Sequence, residues 1–189
     1  AMDESALKKK LSQCDLTTID TSALAIGHRG APRQYPEHTR EGYIAAAKQG
    51  AGAVECDVTF TKDKELVCRH SQCDLHSTTN ILLTPLAKKC SIPFQPAIFA
   101  SDGNITKPAT AQCCTSDITL DEFFTLKGKK DAFNSAAVDA DEYQQNSQFG
   151  ALVSHRQSIE LFTQLNVKMT PELKAAQVPL PYDGMSRQQ

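Results

Sequence analysis

Three short apolar runs, each leading into polar groups able to do chemistry, constrain this chain more than any other feature. Leu24–Gly27 runs into His28-Arg29-Gly30, Ala53–Val58 carries Glu55 and Asp57, and Glu65–Arg69 runs into His70. Runs of this length bounded by glycine or turn residues read as buried strands. Between the first two, Thr39 can cap a helix over Glu41–Gln49, and Gly50 suits its C-terminal end. Strand, helix, strand within about 30 residues is a βαβ pattern, which favours a parallel sheet. Val167–Leu173 reads as a fourth strand, with Pro171 marking its end or an irregularity. Successive strands that end in polar residues imply a common rim where strand ends meet.

The 189 residues suffice for one domain with a real core rather than two. Hydrophobic residues make up 40% and charged residues 22%, a globular balance. A net charge of −2 gives no electrostatic reason to expect nucleic acid. No stretch approaches the roughly 20 apolar residues of a membrane span. Ala1-Met2 resembles an artificial addition before a native segment, so a signal peptide is not expected within this chain.

Seven cysteines cannot all pair within one chain. Adjacent Cys113 and Cys114 point to different partners. No Cys-x-x-Cys or finger-like Cys/His spacing supports zinc. Disulfides in an exported protein, periplasmic or extracellular, are the favoured reading, with at least one bridge among Cys73, Cys90, Cys113 and Cys114.

After His76 the strand rhythm breaks. Ile81–Thr119 has scattered prolines and an Asp102-Gly103-Asn104 turn signal, too long for a structureless loop in a compact domain. It reads as an insertion held by cysteine bridges. Thr119 can cap a helix over Leu120–Leu126, Gly128–Gly150 reads as a loop, and Ser154–Leu165 has a helical apolar face. Gln177–Gln189 shows no clear element.

Side chains alternate along a strand, so Glu55 and Asp57 share one face and Cys56 takes the other. Two carboxylates about 7 Å apart at the backbone stay exposed or need a cation. Glu172 can bring a third. An all-oxygen set suits Mg²⁺ or Ca²⁺ better than zinc or copper. His28 and His70 at successive strand ends suit a general acid/base pair, although one such histidine alone is more often structural. Arg29 supplies a planar donor for phosphate, and Lys174 falls on the same side as Glu172 if the strand continues. These groups together suit a phosphate ester.

In order and spacing, His28-Arg29-Gly30, Pro36-Glu37-His38-Thr39, Glu55-Cys56-Asp57-Val58, His70 and Glu172-Leu173-Lys174 resemble the glycerophosphodiester phosphodiesterase family. The match is close over about residues 25–80 and brief over Val167–Lys174. His38 stands where the family pattern has asparagine, and Ser77 where the Arg-Thr-Thr segment has arginine. The resemblance implies a (β/α)₈ barrel with a divalent cation, Mg²⁺ or Ca²⁺, that cleaves glycerophosphodiesters to glycerol phosphate and an alcohol. It implies that Glu55, Asp57 and Glu172 bind the metal, that His28 and His70 are the acid/base pair, and that Arg29 and Lys174 contact the phosphate.

A full barrel takes about 250 residues, and only four strands are legible here. The expected fold is therefore α/β, the N-terminal half of a TIM-type barrel over residues 24–189. An N-terminal extension covers 1–23, and a long cysteine-rich insertion follows the third strand at about 82–150. Open sheet edges, with Ile26 and Val67 on the bare face, favour self-association. The alternatives are a non-catalytic half-barrel that binds a partner or phosphate group, and a phospholipase D-like enzyme acting on lysolipids or sphingolipids.

Overall fold

The computed structural model describes residues 22–144 and 148–179. Cys14, most of the expected N-terminal extension and residues 180–189 lie outside the described residues.

The strand–helix–strand unit forms as expected. Strand β1 (Ser22–Gly27) leads to helix α1 (Arg40–Lys48) and then to strand β2 (Ala51–Phe60). Thr39 caps α1 by accepting a hydrogen bond from the Gly42 N–H, and Gly50 ends the turn beyond it at φ +88°. The last described strand, β10 (Lys168–Leu173), follows helix α5 (His155–Gln164), whose cap is Ser154 paired with Gln157. Both β1 and β10 pair with β2 in parallel. The parallel arrangement puts β2 at the centre, between its two neighbours.

The third strand corrects the expectation. β3 (Leu66–Cys68) pairs with β2 antiparallel, as a hairpin. Its turn runs only from Thr61 to Glu65, closed by hydrogen bonds from Thr61 N–H to Glu65 O and from Lys64 N–H to Thr61 O. A connection that short cannot carry a crossover to a parallel neighbour. Val58 pairs with both Cys68 and Leu173, so β3 and β10 flank β2 on opposite sides. β3 therefore lies beyond Val54, where the pairing of β1 ends.

Two cores divide the molecule. On one side of the sheet, Val54, Cys56 and Val58 pack against Tyr43 and Ala46 of α1 and Leu161 and Phe162 of α5. Tyr43 and Phe162 meet edge to face, with ring centroids 4.8 Å apart. The second core, between β3 and the segment that follows, gathers Val67, Leu75, Ile81, Ile118, Phe123, Tyr143 and Leu152.

That segment is far from structureless. It contains α2 (Leu75–Thr78), the hairpin of β4 (Ile92–Gln95) with β7 (Thr110–Gln112), and the hairpin of β5 (Ile98–Phe99) with β6 (Ile105–Lys107). Thr119 caps α3 (Leu120–Thr125) with Glu122 as its reciprocal partner. The expected Gly128–Gly150 loop instead includes most of β8 (Lys127–Lys129), α4 (Ala140–Tyr143) and the start of β9 (Phe149–Ala151), with β8 and β9 paired. Its apolar residues follow no single period because each short element contributes one or two to a shared core. Disulfides Cys73–Cys114 and Cys90–Cys113 cross this segment.

This core also buries Val67 completely, whereas it was expected on a bare face. Ile26 is 58% exposed, as expected, and Leu24 is 92% exposed. Among the described residues no helix is long and apolar enough to cross a membrane.

Candidate active site

Glu55 and Asp57 project from β2 on the face away from Cys56, which enters the core under the helices. Register then does the rest. Pairing of Thr170 with Glu55 and of Glu172 with Asp57 brings Glu172 to the same face. One oxygen from each of Glu55, Asp57 and Glu172 lies within 4.8 Å of the others. Gly27 pairs with Val54, so the residues after β1 arrive beside Glu55. The Arg29 backbone N–H donates to Glu55 Oε2 at 3.0 Å, and His28 Nε2 is 3.5 Å from the same oxygen. Farther along the same edge of β2, the Arg69 N–H donates to the Asp57 carbonyl at 2.8 Å, which delivers His70 to the rim.

Gly30 explains the third letter of His28-Arg29-Gly30. Its φ is +91°, and a Cβ there would lie 3.0–3.1 Å from the Gly42 backbone and Tyr43. Only glycine allows α1 so close to the turn.

Four carboxylates, Glu37, Glu55, Asp57 and Glu172, meet the fixed cations Arg29, Arg69 and Lys174. Arg29 Nη1 donates to Glu37 Oε2 at 3.0 Å, and Arg29 Nε is 3.9 Å from Asp57 Oδ2. Lys174 Nζ donates to Glu172 Oε1 at 2.8 Å and is 3.7 Å from Asp57 Oδ1. Burial would raise the Asp57 carboxyl, but the His38 hydrogen bond and the Lys174 charge hold it below the usual carboxylate range. Burial, then the charges of Arg29 and Lys174, holds His70 below the usual imidazole range. Asp57 therefore favours its ionised form and His70 its neutral form.

These residues fit a divalent cation. Asp57 Oδ1 is buried and has no hydrogen-bond partner among the described residues. The Lys174 ammonium, 3.7 Å away, lies beyond hydrogen-bond reach of it, so a metal cation would supply the close partner that a buried carboxylate oxygen needs. The spacing of the oxygens matches the span of ligands around a hard ion, and oxygen-only donors suit Mg²⁺ or Ca²⁺. A second cluster, Cys56, Cys68 and His155, is no such site, because its two sulfurs form a disulfide.

All seven sequence-derived site residues, His28, Arg29, Glu55, Asp57, His70, Glu172 and Lys174, converge on this one face. Glu55 and Asp57 lie within β2 rather than at its end. Sequence reasoning missed the layer beneath them. Arg69 is fully buried and its Nη2 donates to the Glu37 carbonyl at 2.9 Å. Alternation puts Arg69 in phase with buried Val67, and that was the available signal. His38, also fully buried, bridges Asp57 to Tyr43.

The chain matches the model of the glycerophosphoryl diester phosphodiesterase family over residues 28–179. A Bacillus subtilis glycerophosphodiester phosphodiesterase is 42% identical over 57 residues, 30% of this chain and 19% of that protein. Mouse glycerophosphodiester phosphodiesterase 1 is 30% identical over 126 residues, 59% of this chain and 36% of that protein. A solved Silicibacter pomeroyi protein assigned to this family superposes with a TM-score of 0.50 at 20% identity, covering 83% of this chain and 46% of the other. The fold and the site define an α/β protein with a parallel sheet and an acidic, histidine-flanked rim. It belongs to the glycerophosphoryl diester phosphodiesterase family, whose fold is a TIM barrel. The chain spans less than half the length of these relatives.

Proposed function

We propose that this protein hydrolyses glycerophosphodiesters to glycerol 3-phosphate and an alcohol, with a divalent cation at Glu55, Asp57 and Glu172. The observation that carries the reading is the meeting of three carboxylates with two histidines and two basic side chains on one face. When bound, the cation supplies Lewis-acid polarisation of a phosphoryl oxygen and offsets the charge that grows as phosphorus becomes five-coordinate. Arg29 and Lys174 orient the phosphate, exchanging part of their present carboxylate contacts for it. One histidine takes the proton of the attacking water, or of the adjacent glycerol hydroxyl with water then opening the cyclic phosphate, and the other gives a proton to the leaving alcohol oxygen as the P–O bond breaks. Three disulfides among the described residues support an oxidising, exported setting.

The test is release of glycerol 3-phosphate from glycerophosphocholine with and without chelator. Chelator-sensitive release is expected. Release that chelator leaves intact would remove the metal from the reading, and cleavage of lysophosphatidylcholine instead would favour a phospholipase D-like enzyme. Glu55→Gln is expected to weaken Mg²⁺ or Ca²⁺ binding at least about tenfold without unfolding the chain, and unchanged calorimetric titrations would refute the ligand assignment.

We further infer that these strands are the N-terminal half of a barrel with an inserted segment at about 82–150. Leu24 and Ile26 expose apolar side chains on the face of β1 that a closed barrel would cover. The isolated chain is expected to self-associate through that face, seen as a concentration-dependent sedimentation coefficient that Leu24→Glu with Ile26→Glu abolishes. A wild-type monomer at every concentration would overturn this.

A further inference from the structure

The rim has a buried support that comes from a different part of the chain. Asp57 belongs to β2, Tyr43 to α1, and His38 to the loop between β1 and α1. His38 Nε2 is 3.0 Å from Asp57 Oδ2, and His38 Nδ1 is 2.8 Å from the Tyr43 hydroxyl. All three side chains are out of contact with solvent. An ionised carboxylate only accepts, so Nε2 carries the imidazole proton and donates it to Asp57. Nδ1 then accepts the Tyr43 O–H. Each partner fixes the other's tautomer or rotamer.

The backbone at His38 makes the arrangement more than incidental packing. Its φ is +52°, a left-handed conformation that costs a residue other than glycine about 1–2 kcal/mol. Asparagine and histidine are both among the residues enriched in that conformation, and asparagine is what the family pattern carries here. An asparagine amide, however, is one bond shorter from Cβ than imidazole Nε2. The histidine therefore keeps a conformation asparagine also takes and adds the reach to Asp57. Its own N–H also donates to the Arg29 carbonyl at 3.0 Å, so the same residue anchors the turn that bears His28 and Arg29.

We propose that His38, held by Tyr43, is a positioning residue that orients the Asp57 carboxylate so that Oδ1 faces the divalent cation. The inference rests on the metal-site reading above. With Oδ2 engaged by the imidazole, the carboxylate cannot rotate freely, and Oδ1 has no hydrogen-bond donor among the described residues, Lys174 Nζ standing 3.7 Å away. Outer partners of this kind raise affinity by removing the cost of ordering the ligand when the ion arrives.

The experiment titrates Mg²⁺ and Ca²⁺ calorimetrically into wild type, His38→Gln, His38→Asn and His38→Leu. Denaturant unfolding confirms that each variant is folded. The glutamine amide matches the reach of Nε2, so His38→Gln is expected to keep affinity within about threefold, whereas His38→Leu and His38→Asn lose about 10–100-fold. A purely structural histidine would change the unfolding midpoint and leave the affinity of the folded protein alone. Where the leucine variant does not fold, the asparagine variant decides. Wild-type affinity in folded His38→Asn overturns the proposal while leaving the metal site standing. No ion binding by wild type overturns the metal site and the proposal with it. Independently, ¹⁵N spectra of the wild-type ring at pH 7 are expected to show the proton on Nε2; a proton on Nδ1 instead would also overturn it.

Discussion

Replacing either His28 or His70 with alanine is expected to lower kcat by about 10²–10⁴-fold while divalent-cation affinity stays within about threefold. The two histidines meet the rim differently. His28 is largely exposed and reaches Glu55 Oε2 at 3.5 Å, whereas His70 is half-buried at the end of the β3 hairpin. Burial and the neighbouring Arg29 and Lys174 charges disfavour protonated His70. A base must be unprotonated before it acts, so His70 suits accepting a proton and His28 donating one. The sign of the pH effect follows. If His70 is the base, activity rises with pH through a limb that falls below the ordinary imidazole value of 6.5, and His70→Ala removes that limb. Neither substitution removes one of the three carboxylates, so the metal site should be unaffected. Normal turnover in either variant would make that histidine structural, and lost metal affinity would make it a ligand or a support for one.

What the sequence revealed and what it concealed divide by the range of the interactions involved. Helix caps at Thr39 and Thr119 are local, as is the alternation that separates Glu55 and Asp57 from Cys56. The rim could be assembled from strand ends because a parallel sheet brings those ends together. The antiparallel course of β3 was in fact written in its tight turn, where Thr61 N–H reaches the Glu65 carbonyl, but a repeating parallel pattern concealed it. Arg69 and His38 were harder, since their burial depends on partners 32 and 19 positions away. No period announces such pairs. The segment after His76 was hardest, because its elements are too short for periodicity and its core forms only when they are all assembled. Cys56–Cys68 went unforeseen for a related reason: it requires the hairpin register that brings β3 back against β2.

Reduction of the disulfides is expected to cost more stability than any single side-chain change described above. Cys73–Cys114 and Cys90–Cys113 have sequence separations of 41 and 23, and the second bridge lies inside the loop closed by the first. Loop-closure entropy assigns about 3–4 kcal/mol to each alone, and about 6–7 kcal/mol to both because nesting shortens the outer loop. The second core depends on them. Its contributing elements are helices of one or two turns and strands of two to four residues, none of which persists in isolation. Cys90→Ala with Cys113→Ala should therefore lower the unfolding free energy by about 3 kcal/mol in urea. Cys56–Cys68 has a separation of only 12 and so constrains the unfolded chain less. Its place behind the site gives it a different consequence, since Cys56 stands between Glu55 and Asp57 and Cys68 stands two residues before His70. Cys56→Ala with Cys68→Ala is expected to cost less stability than loss of the other two bridges together, but to reduce turnover by letting β3 shift against β2. Alkylation of unreduced, denatured protein followed by mass spectrometry checks the premise. Labels on all seven cysteines would refute the bridges and the exported setting together, whereas protection of the six named here would support both.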